Sequence, residues 1–290
     1  MQSRIILDRV TKSYKKCVAV NDVSLSIDRP MIYGLIGRNG AGKTTLLKLI
    51  AGLARPTSGS VGCVTEKGIG VLIESPGLYT HLSARANVIV KLKIMGDEDE
   101  SHADALLDCV GLSSVGKKRV GNFSLGMKQR LGVALALAGD PDVLLLDEPI
   151  NGLDPEGIVF MRDLMRRLER EGKIIIISSH LLGELSKIAD SYGFIDNGKL
   201  VREIDAPELS SVSTQSHLLL VDRAAEAASI LLREGFGFTV TADQIELKED
   251  EEKASLALLA LIQGGVKIRE FRSYDTPLEN LFLSEGGDRK

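Results

Sequence analysis

Residues Gly37–Thr45 read GRNGAGKTT, between an apolar stretch, Met31–Ile36 (MIYGLI), and a helical pattern, Thr44–Leu53 (TTLLKLIAGL). Strand, glycine-rich loop and helix in that order are the context that a G-x-x-x-x-G-K-[ST] phosphate loop requires. Gly37, Gly40 and Gly42 let the backbone fold tightly, so that the loop, with Arg38, Asn39 and Ala41 between the glycines, turns its N–H groups toward phosphate oxygens. The following helix presents its N-terminus there, where unpaired donors and the helix dipole favour an anion. Lys43 is a compact charge on a long stem, suited to the β- and γ-phosphates. The Thr44 hydroxyl suits Mg²⁺, and Thr45 is placed for the α-phosphate. ATP with Mg²⁺ is the ligand this pattern predicts.

Further along, the apolar run Val143–Pro149 (VLLLDEP) ends in two acids. A buried parallel strand ending beside the loop would bring Asp147 to Mg²⁺. Glu148 would then point elsewhere and accept a proton from an attacking water. A second run, Lys173–Ser178 (KIIIIS), is followed by Ser179 and His180. That places an imidazole at the carboxyl end of a neighbouring strand, within reach of a γ-phosphate.

The rest of the chain sets bounds. With 290 residues and 44% apolar content it can build one large and one small domain. A net charge of −4 argues against nucleic acid as a partner. Cys17, Cys63 and Cys109 form no C-x-x-C pair, and read as buried or inert thiols of a reducing cytosol. The amino terminus lacks an apolar signal core, and no run reaches the roughly 18 apolar residues that span a bilayer. A cytoplasmic chain, with any membrane role reached through a partner, is expected.

Residues 1–210 alternate strand and helix signals as an α/β domain does, with strands expected at Ile5–Val10, Val23–Ile27, Met31–Ile36, Gly68–Ile73, Val143–Leu146, Lys173–Ser178 and Tyr192–Asp196. The unbroken runs VLLLD and KIIIIS suit parallel strands covered on both faces. Between Leu78 and Pro141 strand signals vanish, and Ser83–Met95, Ser101–Val110 and Ser124–Ala138 read as helices of an insert over about residues 78–140. The acidic run Asp97–Glu100 reads as a solvated turn within it. Residues 211–290 give the order strand (Leu218–Val221), helix (Ala224–Glu234), hairpin (Phe238–Thr241 and Gln244–Leu247), helix (Glu249–Ile262), strand (Val266–Phe271). This is the β-α-β-β-α-β order of a ferredoxin-like unit, expected to be an accessory, dimer-stabilising or regulatory domain. The chain closes with TPLENLFL, Thr276–Leu283, where Thr276 can cap a helix, Pro277 suits its first turn and Glu279 completes a capping box.

Taken together these motifs resemble the ATP-binding subunit of an ABC transporter. Phe123-Ser124-Leu125-Gly126-Met127 followed by Lys128-Gln129-Arg130 stands where that family has LSGGQ and x-Q-R. Leucine and methionine replace the first glycine and the glutamine, which leaves the Ser124 hydroxyl, the Gly126 backbone and the helix-terminal N–H groups available to phosphate. Asn151-Gly152-Leu153-Asp154 falls at the D-loop, His180 at the switch histidine and Tyr14 at the aromatic that stacks on adenine. Glu74, in IESPGLYTHL, stands where most of the family has glutamine. That substitution resembles the bacitracin and lantibiotic exporter subgroup, and an ionised glutamate only accepts hydrogen bonds, giving a more anionic contact to Mg²⁺ or its water.

The resemblance implies a P-loop NTPase fold with a RecA-like core, an antiparallel β subdomain and a helical insert, followed by the small C-terminal α+β domain. It also implies ATP hydrolysis by a head-to-tail homodimer, each Ser124 and Gly126 closing on the partner's loop, and a separate membrane permease energised at the inner face of the membrane. A soluble ATPase of the same family acting in translation or DNA repair is the alternative. Those usually carry two cassettes or a long coiled-coil insertion, which this sequence lacks.

Overall fold

The computed structural model describes residues 3–15, 17–180, 182–212, 215–241 and 244–275. The chain folds as two compact units, Met1–Ala206 and Pro207–Lys290. TPLENLFL lies outside the described residues.

The first unit begins with a long antiparallel pair, β1 (Arg4–Tyr14) and β2 (Cys17–Ile27). Ile5 faces Ile27, Leu7 faces Leu25 and Val10 faces Val23, and all six side chains are buried. Alternation with a period of two is what turns one face of such a ribbon inward. The fully buried β3 (Met31–Ile36) leads through the glycine loop into α1 (Lys43–Ile50). β4 (Ser58–Val64) then returns to pair with β1, giving the three-stranded sheet β2-β1-β4.

β5 (Ile69–Leu72) precedes the helical insert, which comprises α2 (Ala84–Ile94), α3 (Ser101–Cys109) and α4 (Leu125–Leu137). Ser83 caps α2 by accepting the Ala86 N–H at 3.2 Å, and the acidic turn before α3 is held by Asp97 to His102 and by Glu100 to Arg85. The remaining elements are β6 (Val143–Asp147), α5 (Pro155–Arg170), β7 (Ile174–Ser179), α6 (Leu182–Leu185), β8 (Ser191–Asp196) and β9 (Lys199–Asp205). The six-stranded sheet runs β5-β6-β7-β3-β8-β9, parallel except for β9. Every residue of β6 and β7 is buried, as continuous apolar runs require when both faces are covered. Register places Ile36 beside Ser179 and Asp147 beside Ser178, so β3, β6 and β7 end together on one edge.

Gly70 fixes how closely α4 approaches this sheet. A Cβ there would run into the Ala136 carbonyl oxygen of α4 and crowd Leu144 of β6. Gly70→Ala is therefore expected to lower the unfolding free energy by about 2–3 kcal/mol, the usual cost of overpacking against backbone. A urea titration checks it, and an unchanged midpoint would mean that α4 can shift freely.

Two strands lie outside the sequence expectations. β4 (SGSVGCV) is rich in glycine and serine and only partly covered, and β9 alternates exposed residues with half-buried ones and the buried Ile204, so neither carries the apolar run that marks the central strands. The cysteines are free thiols; Cys63 and Cys109 are half-buried and Cys17 is exposed, so burial does not account for Cys17. Burial pushes the thiols of Cys63 and Cys109 above their ordinary pKa.

α7 (Ala206–Val212) starts on the last residue of the first unit, and the second unit goes on with β10 (Gln215–Val221), α8 (Ala224–Arg233), β11 (Phe238–Thr241), β12 (Gln244–Lys248), α9 (Glu251–Gln263) and β13 (Ile268–Asp275). Its antiparallel sheet has the order β11-β12-β10-β13. Ala227 and Leu231 of α8 and Ala257 and Leu261 of α9 share one core with Leu219, Val221, Ile245 and Leu247. His217 is fully buried there, and its ring nitrogens meet Ser273 Oγ at 2.9 Å and the Glu249 carbonyl at 3.1 Å. A carbonyl only accepts, so Nε2 carries the proton and the ring is a satisfied core group. Among the described residues no helix is long and apolar enough to cross a membrane.

Candidate nucleotide site

The common edge of β3, β6 and β7 opens on a cleft of about 460 Å³ lined by Arg38, Asn39, Gly40, Gly42, Lys43, Thr44, Thr45, Asp147 and Glu148, among others. Gly40 and Gly42 have φ of 83° and 112°. At Gly42 a side chain is excluded twice over, because a Cβ would also strike the Ala19 carbonyl oxygen of β2. Gly37 and Ala41 are buried beneath the loop, and Arg38 and Asn39 are exposed.

Lys43 is 6% exposed. Its Nζ donates to the Gly37 carbonyl at 2.6 Å and stands 3.5 Å from Glu148 Oε1. The ammonium is thus curled over its own loop, with its long stem fixed by packing. Thr44 Oγ1 donates to Asp147 Oδ2 at 2.7 Å, and Ser178 Oγ donates to the other oxygen of that carboxylate. A hydroxyl and a carboxylate of this spacing form a hard oxygen set. They fit Mg²⁺, which takes one or two carboxylates and completes its shell from phosphates and water.

Glu148 follows β6 at φ 50°, a conformation that non-glycine residues adopt at a cost. Its N–H is held by the carbonyl and the hydroxyl of Ser178, both at 3.1 Å. Its carboxylate divides between two cations or donors: Oε1 faces Lys43, and Oε2 meets His180 Nδ1 at 2.9 Å. Because a carboxylate accepts, the His180 proton sits on Nδ1 and Nε2 is left facing outward from this contact. The arrangement can bind a triphosphate, polarise it and take a proton from a water beside it.

Other sequence-predicted residues stand apart from the cleft wall. Tyr14 ends β1, 47% exposed, with the Lys12 ammonium 4.9 Å from its ring centroid; its register partner Cys17 does line the cleft. Glu74, at φ 63°, is joined to Lys48 of α1 at 2.6 Å. That hydrogen bond raises the Lys48 pKa above its ordinary value, and the fields of Tyr14 and Asp147 add to it. Ser124 caps α4 by accepting the Met127 N–H at 3.2 Å. Gly126 packs against Leu153, and Asp154 of the same loop caps α5 through the Gly157 N–H at 3.0 Å.

Sequence reasoning missed Cys17, Val18, Ala19, Asn197 and Gly198, which complete the lining. Asn197 and Gly198 form the two-residue turn between β8 and β9, both at positive φ (47° and 79°). Asn-Gly between strands is the strongest short-range hairpin signal, so this part of the wall was open to detection. Gly198 N–H donates to the Ala41 carbonyl at 2.8 Å and ties the hairpin to the phosphate loop.

Fold and site together define a P-loop ATPase with a helical insert. A family model described as "ABC transporter" matches residues 20–151, and an AAA domain model matches residues 117–186. The uncharacterized ABC transporter ATP-binding protein YcbN of Bacillus subtilis is 38% identical over 288 residues, 94% of each chain. The bacitracin transport ATP-binding protein BcrA of Enterococcus faecalis is 36% identical over 295 residues, covering 97% of this chain and 96% of its own. A bacterial ABC transporter cassette solved as a dimer shares 25% identity at a TM-score of 0.64, over 70% of this chain and 98% of its own. The chain belongs to the ATP-binding proteins of the ABC transporter family, and as such it binds and hydrolyses ATP.

Proposed function

We propose that this chain is the energising subunit of an export complex whose cargo is a peptide antibiotic or a similar drug. The observation that carries the reading is the likeness, along nearly the whole chain, to a bacitracin transport ATP-binding protein. Two copies would sandwich two ATP molecules head to tail, because Ser124 and Gly126 do not line the cleft formed by their own loop. Closure and reopening of that dimer would be passed to a separately encoded membrane permease, holding the subunit at the inner face of the membrane. No nucleic-acid partner is expected in this reading, since a net charge of −4 disfavours binding to a phosphate backbone.

Within each site, the backbone N–H groups of residues 37–42, Lys43 and Thr45 would hold the phosphates, with Tyr14 stacking on adenine. Thr44 and Asp147 would hold Mg²⁺, which offsets phosphate charge, and Glu74 would approach it or its water. Glu148 is assigned as general base, with His180 orienting it and meeting the γ-phosphate.

Capture of tagged Glu148→Gln chain from detergent-solubilised membranes of its source, with ATP present, tests the transporter reading. A polytopic membrane protein in stoichiometric amount is the expected companion. Soluble partners alone, such as ribosomes, would move the protein to the non-transport class.

A further inference from the structure

The Lys48–Glu74 ion pair has no task in the scheme above. Lys48 stands one helical turn beyond Thr44 on α1, and its Nζ lies 2.6 Å from Glu74 Oε1. The two side chains are 33% and 64% exposed, so the pair adds little to the stability of the fold. Yet Glu74 occupies the left-handed region, at φ 63°, where a residue with a Cβ is strained. A strained, solvent-facing carboxylate fixed by an ammonium one helical turn from Thr44 is better explained by the site that Thr44 belongs to than by packing.

That site is already crowded with negative charge. Asp147 and Glu148 line the cleft, and a triphosphate adds its own. A third carboxylate brought near without a counter-charge would repel the nucleotide, whereas a glutamine at the same position would not. Asp147 helps Glu74 to raise the Lys48 pKa, so the ammonium is in electrostatic range of Asp147 in the cleft as well as of Glu74.

We propose that Lys48 is a positioning residue for Glu74, neutralising its carboxylate and holding the loop after β5 so that a triphosphate can enter beside it. This rests on the reading that Glu74 lies near the bound nucleotide. The test is the Kd of Mg·ATP for the full chain, read by fluorescent-nucleotide displacement, in the parent, Lys48→Met, Lys48→Arg, Glu74→Gln and the double variant Lys48→Met/Glu74→Gln.

Lys48→Met is expected to raise Kd about fivefold with unchanged circular dichroism and Tm, and Lys48→Arg to restore it. In the Glu74→Gln background, Lys48→Met should have no effect, since no carboxylate remains to be neutralised. An equal loss in both backgrounds, or no loss in Lys48→Met, would overturn the proposal. A Mg²⁺ titration of Glu74→Gln judges the underlying reading separately. An unchanged Mg²⁺ midpoint beside a background-dependent Lys48→Met effect would remove Glu74 from the metal and leave the role of Lys48 standing.

Discussion

Glu148→Gln is expected to reduce ATP hydrolysis by about a thousandfold, within the range that a general base supplies. The substitution preserves shape. The amide oxygen of glutamine can still accept the His180 Nδ1 proton that Glu148 Oε2 now accepts at 2.9 Å. What it cannot do is take a proton from water at neutral pH. Lys43 loses a carboxylate at 3.5 Å but keeps its anchor on the Gly37 carbonyl at 2.6 Å, so ATP affinity should hold at the parental value or tighten. With binding intact and turnover removed, the ATP-bound dimer should accumulate, visible as a doubled mass by size-exclusion chromatography with light scattering. A variant that hydrolyses ATP at the parental rate would remove Glu148 from the role of base.

The parts of this site that the sequence discloses are those whose chemistry is local. A phosphate loop needs its glycines, lysine and threonine within nine consecutive positions, and VLLLDEP announces a buried strand ending in acid. The strands that flank them are legible because burial of whole strands writes continuous apolar runs into β3, β6 and β7. Edge strands write no such run: β9 exposes every other residue, and β4 is barely covered at all. The missed part of the cleft wall lies elsewhere, in the exposed and half-buried start of β2 (Cys17, Val18, Ala19) and in the Asn197-Gly198 turn, which was signal enough for one hairpin.

The Lys48–Glu74 contact was illegible for a different reason. Its partners lie 26 positions apart on separate elements, and no spacing rule joins them. The same holds for Lys43 and Glu148, brought together only because β3 and β6 both flank β7. Motifs identify which residues carry chemistry. Pairing between motifs is decided by strand order, and strand order is a property of the packed sheet.

Ser124→Arg is expected to reduce turnover about a hundredfold, while leaving ATP binding to the monomer at its parental Kd. The two effects separate because Ser124 caps α4, away from the wall of its own cleft. If its hydroxyl serves a phosphate, that phosphate belongs to the partner copy, and an arginine there would obstruct closure without touching the nucleotide in its own loop. Loss of the cap to the Met127 N–H, 3.2 Å long in the parent, should cost about 1 kcal/mol of stability. Ser124→Asn retains a capping oxygen and controls for that cost. Combined with Glu148→Gln, Ser124→Arg should also prevent the ATP-dependent dimer from forming. Loss of ATP binding to the isolated monomer would instead place Ser124 in its own cleft, and the two-copy sandwich would have to be abandoned.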